Sequence, residues 1–344
     1  MHGDKFQENV MMVIRRVVAL AVAVAFSGTF ALAQSAKPDT KKRSKEEQRE
    51  IEQVVKLVDG VMAGEAAPTD IQMSITPYFL KSQEERTFVP FVLDVTGAPQ
   101  ASAALYIRVV DPSKEPDPKA KKVEYPWDDI HFVTQQQLAS GVLHRVFMAA
   151  PGTYDVYIAM KERLPEKAPK DQVAKVGVLK QQIEVPNFMN GELNTSSVLV
   201  TDKVNMLSAP ISADESRERP FVFGAQELVP ADDMAFGKSE ELSIFFQVYN
   251  AGLDSAGKPN IVMEYEFHKK EGEGEKFFNK TNPQTISAEN LPPQFDPAKF
   301  PVPGGITVPL TSFGEGQYRL AIKITDKVSG KVLSRDVPFE VKAS

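Results

Sequence analysis

There is no cysteine anywhere in the 344 residues, which removes disulfide frameworks, thiolate nucleophiles and cysteine-ligated zinc sites from consideration. Histidine is nearly as scarce, with four residues, and there is one tryptophan, so few groups are on hand for proton transfer near neutral pH. The chain contains no G-x-S-x-G elbow, no Gly-rich phosphate loop and no HExxH pair. A calcium loop of alternating Asp and Asn around a Gly is missing too. Charge of one sign is also lacking: the formal net charge of −6 is spread over 40 basic and 46 acidic residues, without the basic footprint of a nucleic-acid binder. Long hydrophobic runs are absent, the most apolar stretch being 17–26, which is too short for a comfortable membrane span.

That stretch reads as an address. Arg15 and Arg16 precede it, and Ala31-Leu32-Ala33 follows as an A-x-A cleavage pattern, so residues 1–33 are expected to be a signal peptide and Gln34 the new N-terminus. The alternative is an uncleaved anchor. The leader looks bacterial, and it predicts a periplasmic or extracellular protein with no stable membrane insertion after cleavage. A secreted chain without disulfides has to be stabilised by its cores, and 344 residues suffice for two.

Two stretches match one another: Gly152-Thr153-Tyr154-Asp155-Val156-Tyr157-Ile158 and Gly316-Gln317-Tyr318-Arg319-Leu320-Ala321-Ile322. In each, a turn Gly is followed two residues later by Tyr and then by apolar residues at period 2, the pattern of a half-buried strand. A second strand follows each copy, at 178–185 and at 332–341. Upstream of the first copy, alternation at 71–75, 89–95 and 105–109 predicts antiparallel strands with one wet face. Upstream of the second, 242–249 and 261–268 alternate in the same way, while the Pro-rich 282–305 reads as irregular. The 25 prolines agree with strands and turns rather than a helical bundle. The exception is 51–61, where Ile51, Val54, Val55, Val58 and Val61 fall on one helical face behind a Ser44/Glu47 capping box. That helix either packs on its own domain or binds a partner. The expected organisation is therefore 1–33 signal peptide, 34–69 polar linker and amphipathic helix, 70–205 first β-sandwich, 206–218 linker, and 219–344 second β-sandwich. In fold class this is all-β.

The Gly-x-Tyr pattern resembles the end of immunoglobulin-like and fibronectin type III sandwiches, in which a tyrosine corner bonds back to the backbone of the preceding connection. What the resemblance implies is two tandem immunoglobulin-like antiparallel sandwiches, with Tyr154 and Tyr318 as structural corners. An apolar residue six positions before the Tyr accompanies the motif; Met148 supplies it in the first copy, whereas Ser312 stands there in the second. The second half also looks like the sandwich regions of secreted bacterial proteins that carry a GWxTD domain, although the signature itself is absent and Trp127 is followed by Asp128-Asp129.

For chemistry the candidates are few. His131 and His144, with Asp128 and Asp129 nearby, form the one group that could hold a metal or act as a base, but the spacing fits no ligand motif and strand packing is the expected role. Tyr125 and Trp127 follow a long polar loop and are the possible contacts for a sugar or a protein partner, against the plainer reading that Trp127 covers the core. No catalytic residue, metal or cofactor is expected. The function expected is that of a non-enzymatic binding or structural protein working through protein-protein contacts in the cell envelope. The alternative is a carbohydrate-binding or accessory module of a secreted enzyme system that uses the Trp127 region.

Overall fold

The computed structural model describes residues 43–343 apart from 83, 100, 115–122, 166, 167 and 170; the expected signal peptide at 1–33 lies outside the described residues. The chain forms two compact units. One contains residues 43–187 and Ile211–Pro220, the other Phe188–Pro210 and the remainder from Phe221. Both are sandwiches of mainly antiparallel strands, and among the described residues the fold is all-β with one substantial helix, which precedes the first strand.

That helix, α1 (Lys45–Met62), begins at Ser44, whose hydroxyl accepts from Glu47 N while the Glu47 carboxylate accepts from Ser44 N. This reciprocal box satisfies two otherwise orphaned donors. The helix runs through Gly60 and stops at Ala63, just before Gly64 at φ +99°. No described helix is long and apolar enough to cross a membrane.

In the first unit one layer is β1 (Gln72–Pro77), β2 (Leu80–Lys81), β3 (Thr87–Thr96) and β6 (Val142–Ala149), with β1 and β2 on one edge of β3 and β6 on the other. The other layer has β4 (Ala103–Val110), β5 (Trp127–Val133), β7 (Gly152–Glu162) and β8 (Val176–Val185) in the order β5-β4-β7-β8. Short helices α2 (Gln135–Leu138) and α3 (Ala213–Ser216) complete the unit.

The wet face expected of these strands is absent from the middle of the β5-β4-β7-β8 layer. Seven of the eight residues of β4 are buried, because α1 lies across the layer's outer side. Val54 and Val58 pack there against Ala104, Tyr106, Tyr157, Ala159 and Val178. Each such Val contributes about 1.5–3 kcal/mol by burial. Lys161 to Glu50 at 2.8 Å and Arg108 to Asp59 at 2.5 Å tie the helix down at its edges. Of the two readings of the helix, packing on its own domain is the one the structure has.

In the second unit one layer is β9 (Asn194–Thr195), β10 (Leu199–Met206), β11 (Val222–Phe223), β12 (Gln226–Pro230), β14 (Glu241–Tyr249) and β18 (Val302–Pro309). The other comprises β13 (Ala235–Gly237), β15 (Ile261–Glu271), β16 (Gly274–Lys280), β17 (Gln284–Ile286), β19 (Gly316–Asp326) and β20 (Val332–Lys342). Strand β13 runs parallel to β20 and closes that edge. The core between the layers includes Phe246, Tyr265, Phe267, Leu320, Ile322 and Phe339. The two units repeat one connectivity: β1-β3-β6 over β5-β4-β7-β8 corresponds to β10-β14-β18 over β16-β15-β19-β20. The duplicated Gly-x-Tyr stretches open the equivalent strands β7 and β19, and both glycines have positive φ, +152° at Gly152 and +134° at Gly316.

The chain departs from the expected organisation at the crossing. Residues 70–205 were expected to form the first sandwich and 206–218 one linker, yet Phe188–Pro210 belongs with the second unit, where β9 and β10 pair with β14, and Ile211–Pro220 belongs with the first, where Ser216 and Arg217 are buried. A run of charged residues ordinarily reads as solvated; here one of its charges has a buried counterpart.

Candidate functional site

Strand β5 places alternate residues on opposite faces, so Trp127, Asp129, His131 and Val133 point into the first sandwich while Asp128, Ile130 and Phe132 face the other way. The sequence cluster is divided by this alternation. Asp129 and His131 meet, with Oδ2 and Nε2 3.1 Å apart. Asp128 is on the opposite face, and the half-buried His144 is out of phase with its inward neighbour Arg145 on β6.

Two residues that sequence reasoning did not single out complete the cluster. Arg217, from the segment after α3, donates through Nη2 to Asp129 Oδ1, which also accepts from Ile130 N at 2.9 Å. Arg145 is 2% exposed, and its Nη1 donates to the His144 carbonyl at 2.6 Å, while its Nε and Nη2 have no hydrogen-bond partner among the described residues. Beside the cluster, Gln137 Nε2 donates to Glu218 at 2.9 Å. A signal for Arg145 was present in its position between Leu143 and Phe147 at period 2, an inward slot where an arginine is anomalous. Arg217 offered no such signal.

The electrostatics follow from burial. Desolvation alone would raise the Asp129 pKa, but the hydrogen bonds and charges of His131 and Arg217 outweigh it and hold the carboxyl below its ordinary range. For His131, burial is the foremost effect and lowers its pKa; Asp129 pulls the other way, while Arg145 and Arg217 oppose a proton. Burial likewise pulls the Arg145 guanidinium down to about 10. Asp129 and His131 are 4% and 5% exposed, so the Asp-His pair is closed to a substrate in this conformation. Among the described residues, no group of three or more His, Cys, Asp or Glu side chains is placed to hold a metal ion.

The aromatic candidates lie apart from open surface. Trp127 is 3% exposed, and its Nε1 has no partner among the described residues. Tyr125 is half-buried with the Arg108 guanidinium 4.2 Å from its ring centre, and Arg108 also donates to the Tyr106 hydroxyl at 2.8 Å. Tyr125 thus lies over the cation that anchors α1. At the duplicated hairpins, the Tyr318 hydroxyl donates to the Gly314 carbonyl at 2.8 Å, and its ring stacks on Phe339 at 5.4 Å. Tyr154 is also buried, though less deeply, and its hydroxyl makes no hydrogen bond among the described residues.

Fold and cluster define the class: an all-β protein of two like sandwiches, the first with a charged cluster in its interior. No protein-family model and no curated protein matches the chain. Among solved structures it is similar to trypsin-activated alpha-2-macroglobulin from Escherichia coli, at 10% identity and a TM-score of 0.22; the match covers 81% of this chain and 17% of that one.

Proposed function

We propose that the chain is a non-enzymatic binding or structural protein of the bacterial cell envelope, acting through protein-protein contacts made by immunoglobulin-like sandwiches. The observation that carries this reading is the enclosure of Asp129, His131 and Trp127 in the first sandwich, which assigns the residues best suited to chemistry to its interior. A sugar-stacking role needs a ring face open to solvent; Trp127 is buried, and Arg108 lies over Tyr125. Export by the N-terminal leader is part of the proposal and rests on the A-x-A pattern.

The test is photo-crosslinking in intact cells from positions with exposed apolar side chains, such as Met206 and Phe277, which are 68% and 52% exposed. Discrete adducts with an envelope protein are expected. Turnover of an envelope substrate by the purified protein, lost in a His131→Gln variant, would overturn the proposal.

A further inference from the structure

We infer that strand β16 is an open edge, which takes up an extended, acidic segment of a protein partner as an added antiparallel strand. This rests on the protein-binding reading above and names the kind of partner. A strand at the end of a layer leaves about half of its backbone N–H and C=O groups pointing away from its neighbour. In the second sandwich β13 closes one layer at β20, whereas β16 ends that layer on the other side, and no strand among the described residues pairs with its outer edge. Residues Gly274 to Phe277 of this seven-residue strand are exposed, so a partner can reach the edge.

The side chains of β16 select what can be added. Phe277 is 52% exposed and stands beside the His268 ring, with centroids 6.0 Å apart. Phe278 turns inward to pack on Phe313 and Tyr318, because the ladder shifts between Phe267 and His268. Lys276 lies directly opposite Lys269, and like charges so placed repel. Lys280 lies opposite Glu266, whose carboxylate is 3.7 Å from His268. Neither Lys276 nor Lys280 has an ion pair among the described residues. The one carboxylate of the strand, Glu275, is held by Arg319 through both oxygens, at 3.1, 2.9 and 2.7 Å. The cations of this edge are thus open and its anion is taken.

An incoming strand gains by placing an apolar residue opposite Phe277 and carboxylates opposite Lys276 and Lys280. The exposed Glu271 and Glu273 flank the turn, at the far end of the strand from Lys280, so a fitting segment carries its carboxylates from Lys276 onward. A second copy of this chain does not meet that demand through the same edge, since it brings the same lysines. Edge lysines guard a sheet against pairing with itself, and here they leave the ladder to a segment of opposite sign. In such an addition the main-chain ladder supplies affinity and the alternate side chains supply specificity.

Titrating the full chain at low ionic strength with an end-blocked heptapeptide of alternating Glu and Val, followed through the protein's amide signals, tests the edge. Shifts and slowed exchange confined to β16 and its neighbour β15 are expected, with no such response to the Lys-Val counterpart. Lys276→Glu combined with Lys280→Glu, both at exposed positions, should weaken the Glu-Val peptide by about tenfold or more and admit the Lys-Val one. The Glu-Val peptide N-methylated throughout, which cannot donate to a ladder, should not bind. No saturable response in β16 would overturn the edge, as would equal binding of the two peptides, binding that survives N-methylation, or a charge-reversed variant that behaves as the wild type. A response to phosphatidylglycerol vesicles with none to the peptide would give the lysines to a lipid surface and overturn it too. A silent peptide beside photo-adducts from Met206 leaves the broader reading standing; turnover lost in His131→Gln would remove that reading, a result the titration cannot produce.

Discussion

Tyr318 and Tyr154 hold equivalent places in the two sandwiches and differ in one bond. The Tyr318 hydroxyl reaches the Gly314 carbonyl, so Tyr318→Phe should destabilise the second sandwich by about 1 kcal/mol, the net worth of a neutral hydrogen bond. Tyr154→Phe should change the first by less than about 0.5 kcal/mol. Urea titrations of the full chain, followed through resolved amide signals of each sandwich, separate the two. The sequence pointed to the opposite ranking, because Ser312 stands where an apolar residue was expected. In the structure, wholly buried Leu310 and edge-packed Phe313 supply that packing from neighbouring positions. A second residue-scale prediction concerns Asp326, which accepts from Gly252 N, Val328 N, and Ser329 N and Oγ. Burial would raise its pKa, but those bonds prevail and lower it from 3.8. A carboxylate depressed in the folded state stabilises fully above its unfolded value and loses that contribution as pH falls through the folded one. The second sandwich should therefore weaken below about pH 4, and Asp326→Asn should flatten that limb of an acid titration.

Among the elements, α1 shows most clearly what a linear pattern reveals and what it conceals. Its stripe of valines and its Ser44/Glu47 cap were legible, because helix periodicity and capping are local. The surface it covers was not, since Ala104, Tyr106, Tyr157 and Ala159 come from strands distant in sequence. That hidden partner also explains why β4 is buried on both faces when alternation predicted one wet side. The short strands β12 and β13 carried too few residues for a period to register. Val58→Ala removes two buried carbons from the contact and should cost about 1.5 kcal/mol in urea titration of the first sandwich. Arg108→Met should weaken the same docking, because the guanidinium joins Asp59, Tyr106 and Tyr125 in one contact. Faster exchange of the α1 amides, with the β3-β6 pair unaffected, is the expected reading for that variant.

For the whole molecule, the doubled Gly-x-Tyr stretch made two like sandwiches legible, while the return of Ile211–Pro220 to the first was invisible in a run of alternating charge. Asp128, Asp129 and His131 were grouped only as neighbours in sequence; that Asp129 and His131 share the inward face, and Asp128 does not, depends on β5 beginning at Trp127 and on which of its faces the second layer covers. The buried, proton-poor His131 gives the first sandwich its own acid limb. A histidine whose pKa is lowered on folding contributes in full above its ordinary value of 6.5 and loses that contribution as pH falls through the folded one. The first sandwich should thus begin to lose stability at a higher pH than the second. The central claim is that the chemistry-bearing face of β5 is interior, and Trp127, the sole tryptophan, reports on it without ambiguity. Its fluorescence in the folded protein should be blue-shifted, weakly quenched by acrylamide and unchanged by a panel of envelope oligosaccharides. Emission at the wavelength of free tryptophan, or a saturable response to one oligosaccharide, would place that face at the surface and contradict the account.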